Sequence, residues 1–478
     1  MLFRLLAHAL LVVVSVIALP GFAVVTGLIR PDAYHSAANR SYCGISSIAV
    51  SPSGQRLWAT WYASVTSDED SNNFAILATS TDRGDTWKEV LIADPDGEGP
   101  LRAFDPQVWV APTGKLCWIW TERIAPLRAT APKGVNGCSA DPRGDRLMML
   151  ELDAETEPLL PCASPRQIGR GVMMGKPIIR KDGVWLFPSA WWQADPSACV
   201  LTSADNGQSY SFLGGASVPK KLRLFEEHCL LELADGRLRA YIRVNQGKTG
   251  TWFSESSDGG QTWGASKPCD FAHCSTRIFV RRLKSGAVLM VKNGPLDADV
   301  GRKQLTAYIS DDDGATWLGG LVLSQGKATA TYPDGDQAAD GTIYLTWDAD
   351  RSMLGDVHFA RLTEAEIRAG KLTDPKSTID GLIMKKTRGI PQPGRNGYIR
   401  LKGHKLLVKG RFDGLRAEFL DGNGDPLTGF TAAESIPVSG TGEFEMRWKE
   451  NPDISRANGR IVIIRFSSGT PDTWRLVE

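Results

Sequence analysis

The feature that most constrains the fold of this chain is a short unit that occurs six times. Each copy is a turn that ends in glycine, followed by a strand-like apolar run such as DGTIYLTWD at 340–348. The turn glycines are Gly54, Gly114, Gly183, Gly236, Gly286 and Gly341. A repeat of strands and turns at roughly fifty to seventy residues is typical of a β-propeller, in which each copy forms one blade. We therefore predict an all-β fold with a six-bladed β-propeller over 40–372, and chemistry at the mouth of its central channel.

A second motif follows the third predicted strand of four blades, with the pattern Ser-x-Asp-x-Gly-x-Thr/Ser-aromatic. It occurs at 80–87, 203–210, 256–263 and 310–317. The pattern suits a tight hairpin, because the aspartate accepts hydrogen bonds from turn amides and the glycine takes a positive φ. A calcium or ligand site is the alternative interpretation. We predict the structural role.

The two ends of the chain differ from the repeats. Residues 1–23 hold an apolar stretch and a small-residue cleavage site, which predict an export signal, with an uncleaved anchor as the alternative. A capping-box pattern predicts one helix over 363–371. A Pro/Gly-rich linker is predicted over 375–395, and alternating apolar and polar residues over 396–478 predict a small C-terminal β-sandwich.

Composition narrows the range of partners. The net charge of +1 and the absence of basic runs argue against nucleic acid and an anionic membrane surface. The eight cysteines of an exported chain can form disulfides, although their spacing does not reveal a pairing. No CxxC or HExxH motif occurs, so neither a metal nor another cofactor is predicted.

Superposing the six copies on their turn glycines predicts which side chains meet at the channel mouth. Counting back nine residues from each glycine reaches the start of the innermost strand. The positions are Ile45, Asp105, Met174, Glu227, Arg277 and Tyr332. Blade three looks shorter there, which favours Lys176 over Met174, and Arg243 lies beside the ring. Burying acid, base and phenol together is costly unless they pair or bind a ligand, so we predict a functional cluster.

At these residues the chain resembles the sialidase superfamily, over about 40–370. The segment FEEHCLLELADGRLRAYIR is similar to the one in which sialidases place a catalytic glutamate and a carboxylate-binding arginine, here Glu227 and Arg243. The stretches GRKQLTAYISDDDGATW and TYPDGDQ are similar to those that hold a further arginine and the nucleophilic tyrosine, here Arg302 and Tyr332.

The resemblance also implies an acid/base residue and a reaction. The loop SVTSDEDSNN corresponds to the one with the family's acid/base aspartate, for which Asp68 is the choice and Glu69 and Asp70 are alternatives. The implied reaction removes a terminal acidic sugar from a glycan with retention of configuration. Guanidinium groups hold the sugar carboxylate, and a tyrosine paired with a glutamate attacks the anomeric carbon.

The sequence departs from the family at the first arginine of the carboxylate site, whose place falls on Gly44. Arg277 is our choice for the missing cation, with Lys176 and His228 as alternatives, and Asp105, Lys176 and His228 are expected to shape the pocket. Two other functions stay open. One is a polysaccharide lyase, in which His228 and Tyr332 abstract the α-proton of a uronate. The other is a propeller that binds glycans without catalysis.

Overall fold

The structure is a computed structural model of the chain. It describes residues 27–65, 69–70, 72–95, 101–124, 145–160, 162–245, 250–324, 328–351, 354–386, 398–420, 426–458 and 460–477. The predicted export signal at 1–23 and the predicted acid/base residue Asp68 lie outside these residues. No helix in the described ranges is long and apolar enough to cross a membrane.

Six antiparallel sheets follow one another along the chain, each built from strands that are neighbours in sequence. Sheet one contains β1 (Leu28–Ile29), β2 (Tyr42–Val50), β3 (Leu57–Ser64), β4 (Phe74–Ser80) and β5 (Lys88–Ala93). Sheet two contains β6 (Leu101–Val110), β7 (Lys115–Ile124), β8 (Arg146–Asp153) and β9 (Arg166–Arg170). Sheet three contains β10 (Ile178–Ile179), β11 (Trp185–Ala190), β12 (Ala198–Ser203) and β13 (Ser211–Ala216).

The next three sheets have the same order of strands. Sheet four contains β14 (His228–Glu232), β15 (Leu238–Arg243), β16 (Thr251–Ser256) and β17 (Lys267–Pro268). Sheet five contains β18 (Phe279–Arg282), β19 (Val288–Asn293), β20 (Leu305–Ser310) and β21 (Leu318–Ser324). Sheet six contains β22 (Ala330–Gln337), β23 (Ile343–Ala349), β24 (Asp356–Leu362) and β25 (Thr378–Met384).

Apolar cores between consecutive sheets close the six sheets into a ring. Trp58 and Trp118 belong to the core between sheets one and two. Trp109 and Trp185 pack edge to face, 5.0 Å apart, between sheets two and three. Further cores join sheets three to four, four to five and five to six, and a last one joins sheet six back to sheet one. The sheets are thus the blades of a six-bladed propeller, which confirms the predicted fold class.

The aspartates of the second motif are used within their own hairpins. Asp82 accepts hydrogen bonds from the Thr86 amide at 2.9 Å and from the Ser80 hydroxyl at 2.7 Å. Gly84, with a φ of 96°, donates its N–H to the same Ser80 hydroxyl at 2.9 Å. The equivalent aspartates are Asp205, Asp258 and Asp312. Each of these carboxylates accepts the same pair of bonds from its own turn, which is the predicted structural role.

One predicted boundary, the start of the linker, is wrong in the segment that follows the third strand of the sixth blade. The predicted helix is present as α1 (Glu364–Ala369), with the Thr363–Glu366 capping box formed. The predicted linker over 375–395 is wrong at its start, because β25 pairs with β24 as the outermost strand of sheet six. Gly381 in this strand indicates a close approach rather than a loop, since a Cβ there would lie 2.4 Å from the Phe359 ring.

A separate apolar core lies in the C-terminal strands. The strands are β26 (Tyr398–Arg400), β27 (Lys405–Leu420), β28 (Ser435–Ile436), β29 (Val438–Trp448), β30 (Ile461–Ser467) and β31 (Thr473–Val477). The long strand β27 pairs with β29 and β31 in its first half and with β30 in its second. One strand thus serves two sheets that face each other across the core, which gives the predicted small β-sandwich. Three short 3-10 turns complete the described elements, at Ala37–Asn39, Lys220–Leu222 and Ser455–Ala457.

The described cysteines form no disulfide. Seven of them are free thiols, and all but Cys162 are buried. The eighth, Cys138, lies outside the described residues. The disulfides considered from the cysteine count are therefore absent among these seven, which pack instead as small apolar side chains.

Candidate active site

A cavity of about 160 Å³ lies where the innermost strands of the blades begin. Four arginines, three acidic residues and two tyrosines line it together with apolar side chains. The charged and phenolic residues are Arg102, Arg243, Arg302, Arg351, Glu69, Asp105, Glu227, Tyr62 and Tyr332. Guanidinium groups outnumber carboxyl groups here, so the cavity suits an anionic ligand.

Three blades present their cavity residue through the same backbone bulge. The ladder between the first two strands shifts register at this point in blades one, two and six. The residue in the bulge has a left-handed φ each time, 54° at Ile45, 48° at Asp105 and 54° at Tyr332. Such backbone costs on the order of 1–3 kcal/mol per residue and is concentrated at functional sites. The bulge turns these three side chains toward the cavity.

Tyr332, Glu227 and Arg243 form one buried hydrogen-bonded group. The Tyr332 hydroxyl donates to Glu227 Oε1 at 3.3 Å, and Arg243 Nη1 donates to that oxygen at 2.7 Å and to the Tyr332 hydroxyl at 3.1 Å. Burial and the charge of Glu227 raise the pKa of Tyr332 against the effect of nearby guanidinium groups. The phenol is therefore neutral at rest, with an acceptor for its proton in contact.

Arg302 also lies beside the Tyr332 ring. It belongs to the loop before β20, and its Nη2 donates to the carbonyl of Ser275 at 3.1 Å. Its guanidinium stands 5.9 Å from the centre of the Tyr332 ring. The structure thus brings together the two arginines, the glutamate and the tyrosine to which the family resemblance gave roles.

Arg277, the first choice for the missing cation, does not line the cavity. It is buried, and its guanidinium donates to the backbone carbonyls of Met174, Tyr332 and Pro333. It therefore braces the strand that holds Tyr332. The expected role in carboxylate binding is wrong, because every hydrogen bond that Arg277 makes with the described residues is to a main-chain carbonyl.

Lys176 and His228 are also directed elsewhere. Lys176 Nζ binds Asp334 at 2.8 Å and the carbonyls of Ile48 and Val108, each at 2.7 Å. Blade three is not shorter at this point, and Met174 takes the cavity position. The His228 ring lies between the carbonyls of Glu226 and Cys199, and burial lowers its pKa to about 4. Neither residue shapes the cavity as expected.

Of the two alternatives to Asp68, Glu69 reaches the cavity. Its Oε1 accepts hydrogen bonds from Tyr42 at 2.6 Å, from Tyr62 at 2.7 Å and from Arg351 at 3.1 Å. Burial alone would raise the pKa of Glu69, but the charges of Arg351 and Arg102 and the hydrogen bonds of the two phenols outweigh it and lower the pKa to about 2. Asp70 instead accepts bonds from Asn72 in its own loop, at 2.9 and 3.0 Å. Glu69 is thus an anion, which suits it poorly to donate a proton.

Asp105 differs from both other acids of the cavity. Its side chain is buried, and its Oδ1 has no hydrogen-bond partner among the described residues. Burial, together with the charges of Glu69 and Glu227, raises the pKa of Asp105 to about 7 although Arg102 and Arg351 oppose the shift. Below neutral pH this carboxyl is protonated and can donate a hydrogen bond into the cavity.

The raised pKa of Asp105 makes the stability of the fold depend on pH. The folded state keeps a proton that the unfolded chain, with an aspartate pKa of about 3.9, releases, so stability falls as pH rises toward 7. Asp105→Asn removes this loss. We therefore compare the difference in melting temperature, variant minus unchanged protein, at two pH values. This difference should be more positive at pH 8 than at pH 5. Asp311→Asn is the control, because this exposed carboxylate has a lowered pKa. It should change the melting temperature by the same amount at both pH values. An equal shift for Asp105→Asn would contradict the assignment.

Two arginines of the cavity were missed by the sequence analysis. Arg351 lies just beyond β23, and Arg102 lies in β6, stacked 4.0 Å from the ring of Phe104. Neither occupies a position that recurs in all blades. The signal for Arg102 in the sequence is the segment RAFDPQVW, where it precedes the bulge residue Asp105 by three positions.

Comparison with known proteins places this geometry in a family. Residues 54–345, more than half of the chain, match the family of BNR repeat-like domains. No curated protein matches the chain in sequence. The NanB sialidase of Streptococcus pneumoniae has a similar structure, with a TM-score of 0.54 and 14% identity over 71% of this chain and 70% of that one. A protein of unknown function from Dyadobacter fermentans matches with a TM-score of 0.51 and 16% identity over 68% of this chain and 95% of that one. At these identities the likeness shows a shared fold.

Proposed function

The chain belongs to the family of BNR repeat-like domains, and on that premise we propose that it is an exo-acting glycoside hydrolase of sialidase type. Its substrate is a glycan that ends in sialic acid or a related acidic sugar. The observation that carries the proposal is the neutral phenol of Tyr332, held between Glu227 and Arg243 in a cavity rich in guanidinium groups. We further propose that the segment 1–23 exports the chain to the compartment where such glycans are exposed.

The charge of the substrate explains why a tyrosine is suited to be the nucleophile. Arg243 and Arg302 stand beside Tyr332 and supply the planar donors that bind a carboxylate. A carboxylate nucleophile in the same place would be repelled by the carboxylate of the sugar. A neutral phenol meets no such repulsion, and Glu227 takes its proton as the bond to carbon forms.

The reaction proceeds by two displacements. In the first, the Tyr332 oxygen bonds to the anomeric carbon, the phenol proton passes to Glu227, and the bond from this carbon to the leaving oxygen breaks as an acid protonates that oxygen. We assign this acid to Asp68. In the second, water loses a proton to the same acid/base residue and attacks the anomeric carbon. The bond from this carbon to the Tyr332 oxygen breaks, the sugar is released, and Glu227 returns its proton to Tyr332. Two inversions retain the configuration.

The lyase alternative loses one of its two supports. It used His228 together with Tyr332, but both ring nitrogens of His228 face main-chain carbonyls and the ring does not line the cavity. No contact of the described residues favours the third function, a propeller that binds without catalysis. Both alternatives are outcomes of the test below.

The test is a screen of the purified full chain against aryl α-sialosides, aryl uronides and acidic polysaccharides, with neutral aryl glycosides as the control. We expect release of the aglycone from an acidic glycoside and none from a neutral one. A product that absorbs in the ultraviolet through a new double bond would identify a lyase. Binding without any product over days would identify a glycan-binding protein. Either result overturns the proposed hydrolase.

A further inference from the structure

Resting on the proposed function, we infer that Arg351 supplies the third guanidinium of the carboxylate site, and that glycine at position 44 is what admits it. The family resemblance places the first arginine at Gly44, on the first blade. In this chain the cation arrives from the sixth blade instead and occupies the space that a side chain at position 44 would need. The site then consists of Arg243, Arg302 and Arg351.

The space around Gly44 carries the first step of this inference. A Cβ built on Gly44 would lie 2.2 Å from Arg351 Cδ and 2.4 Å from its Cγ. Real Cβ atoms do not approach other atoms so closely, so any side chain at this position would displace the stem of Arg351. The backbone of Gly44 is not left-handed, in contrast with the turn glycines of the repeats. Glycine is therefore required here for space and not for conformation.

The main chain fixes where Arg351 starts. The N–H of Cys43, the residue before Gly44, donates to the Arg351 carbonyl at 3.1 Å. Nε of Arg351 lies 3.9 Å from Asp348 Oδ2, which also accepts the N–H of Ile45 at 2.8 Å. These bonds tie the end of β23 to β2 across the seam between blades six and one.

The guanidinium of Arg351 then reaches the cavity with a donor to spare. Its Nη1 donates to the Tyr42 hydroxyl and to Glu69 Oε1, both at 3.1 Å. Its centre stands 4.9 Å from the centre of the Tyr332 ring, nearer than Arg302. Its Nη2 has no hydrogen-bond partner among the described residues, and the side chain is 20% exposed. An arginine placed over the nucleophile with an open donor is suited to bind an anionic ligand.

A purely structural role, as the cation that neutralises Glu69, is the competing explanation. It makes a different prediction, because such a role does not depend on the charge of the substrate. A carboxylate-binding role requires that removal of Arg351 harms an acidic substrate and spares the same substrate with its carboxylate esterified. This difference decides between the two explanations.

The test compares an aryl sialoside with its methyl ester, both on the full chain. Arg351→Ala is expected to lower kcat/KM for the acid about 10- to 100-fold, the range for a lost hydrogen bond to a charged group, and to change the ester little. Arg351→Lys keeps the charge but loses the planar pair of donors, so its kcat/KM for the acid should lie between those of the unchanged protein and of Arg351→Ala. Gly44→Ala should act like a mild form of Arg351→Ala, because its methyl group displaces the arginine stem. Equal losses on acid and ester, or no loss, would overturn the inference.

Exchanging the two residues tests whether they serve the same place. In Gly44→Arg/Arg351→Ala the stem of Arg351 is gone and an arginine starts from the first blade, so we expect recovery of most of the lost kcat/KM. Gly44→Arg alone should have a lower kcat/KM than the unchanged protein, because two side chains then compete for one space. A folded double variant no better than Arg351→Ala would contradict the shared place.

A binding measurement separates this inference from the proposed function. Calorimetric titration of the unchanged protein and of Arg351→Ala with free N-acetylneuraminic acid and with glucuronic acid requires no turnover. Weaker binding by Arg351→Ala supports the inference even if no substrate is cleaved, in which case the hydrolase proposal alone fails. Equal binding by both proteins overturns the inference while leaving the hydrolase open. If the unchanged protein binds neither acid, the inferred carboxylate site fails, and the substrate screen alone decides on the hydrolase.

Discussion

Tyr332→Phe is expected to abolish the proposed turnover of an acidic glycoside, with a fall in kcat on the order of 10⁴-fold or more. The variant loses only the hydroxyl, whose oxygen bonds to the anomeric carbon in the proposed mechanism. The ring itself is buried and packs among the apolar side chains of the cavity, so the fold should be retained. Initial rates with the aryl substrate and a thermal melt of the same sample measure both parts.

Tyr344→Phe is the matched control for this change. Tyr344 is also buried and lies in the adjacent strand β23. It does not line the cavity, and its ring stacks on that of Phe359 with 6.0 Å between the ring centres. It should keep full activity. A Tyr332→Phe protein with undiminished kcat would remove the phenol from the mechanism, whereas loss of activity in both variants would indicate a general effect of removing buried hydroxyls.

The fold could be predicted because its signals are local. Each turn glycine has a positive φ, between 73° and 92°. Apart from the glycine and its two chain neighbours, no atom of the described residues lies within 4 Å of the place that a Cβ would take. Glycine is needed there for the backbone alone, so it recurs in every blade and marks the repeat. The aspartates of the hairpin motif are local in the same sense, since they bind atoms at most four residues away.

The cavity could be predicted in part, because a blade fixes how far its inner strand runs before the turn. Five of the six residues found by counting back nine positions line the cavity, namely Ile45, Asp105, Met174, Glu227 and Tyr332. Arg277 is the exception. Counting gives the position of a residue along the chain but not the direction of its side chain. Arg277, on the fifth blade, turns to main-chain carbonyls of the third and sixth blades.

Arg351 could not be predicted from the repeat. It lies in the loop after β23, beyond the part of the unit that recurs, and its partner Gly44 is more than three hundred residues earlier in the chain. Gly44 shows no sign of its role in the sequence, because a glycine kept for space looks the same as one kept for a turn. Only the approach of two blades across the closing seam reveals it.

Glu227→Leu is expected to have the second largest effect, on both stability and activity. It leaves the guanidinium of Arg243, 6% exposed, without its carboxylate partner at 2.7 Å. An unpaired charge left by removing one member of a buried ion pair costs about 3–5 kcal/mol. It also removes the acceptor of the Tyr332 proton, so kcat should fall about 10²- to 10⁴-fold. Calorimetry of the propeller transition and initial rates measure the two effects.

A double change separates the two roles of Glu227. In Glu227→Leu/Arg243→Met no charge is left unpaired, so most of the lost stability should return, as apolar replacement of a whole buried pair is often neutral. Activity should not return, because the base and one carboxylate-binding group are both absent. If Glu227→Leu alone were as stable as the unchanged protein, Arg243 would have found another partner or water. If the double variant recovered turnover, the pair would have no part in the chemistry. The two variants thus distinguish the ion pair, which holds Arg243 in the fold, from the proposed transfer of the Tyr332 proton to the same carboxylate.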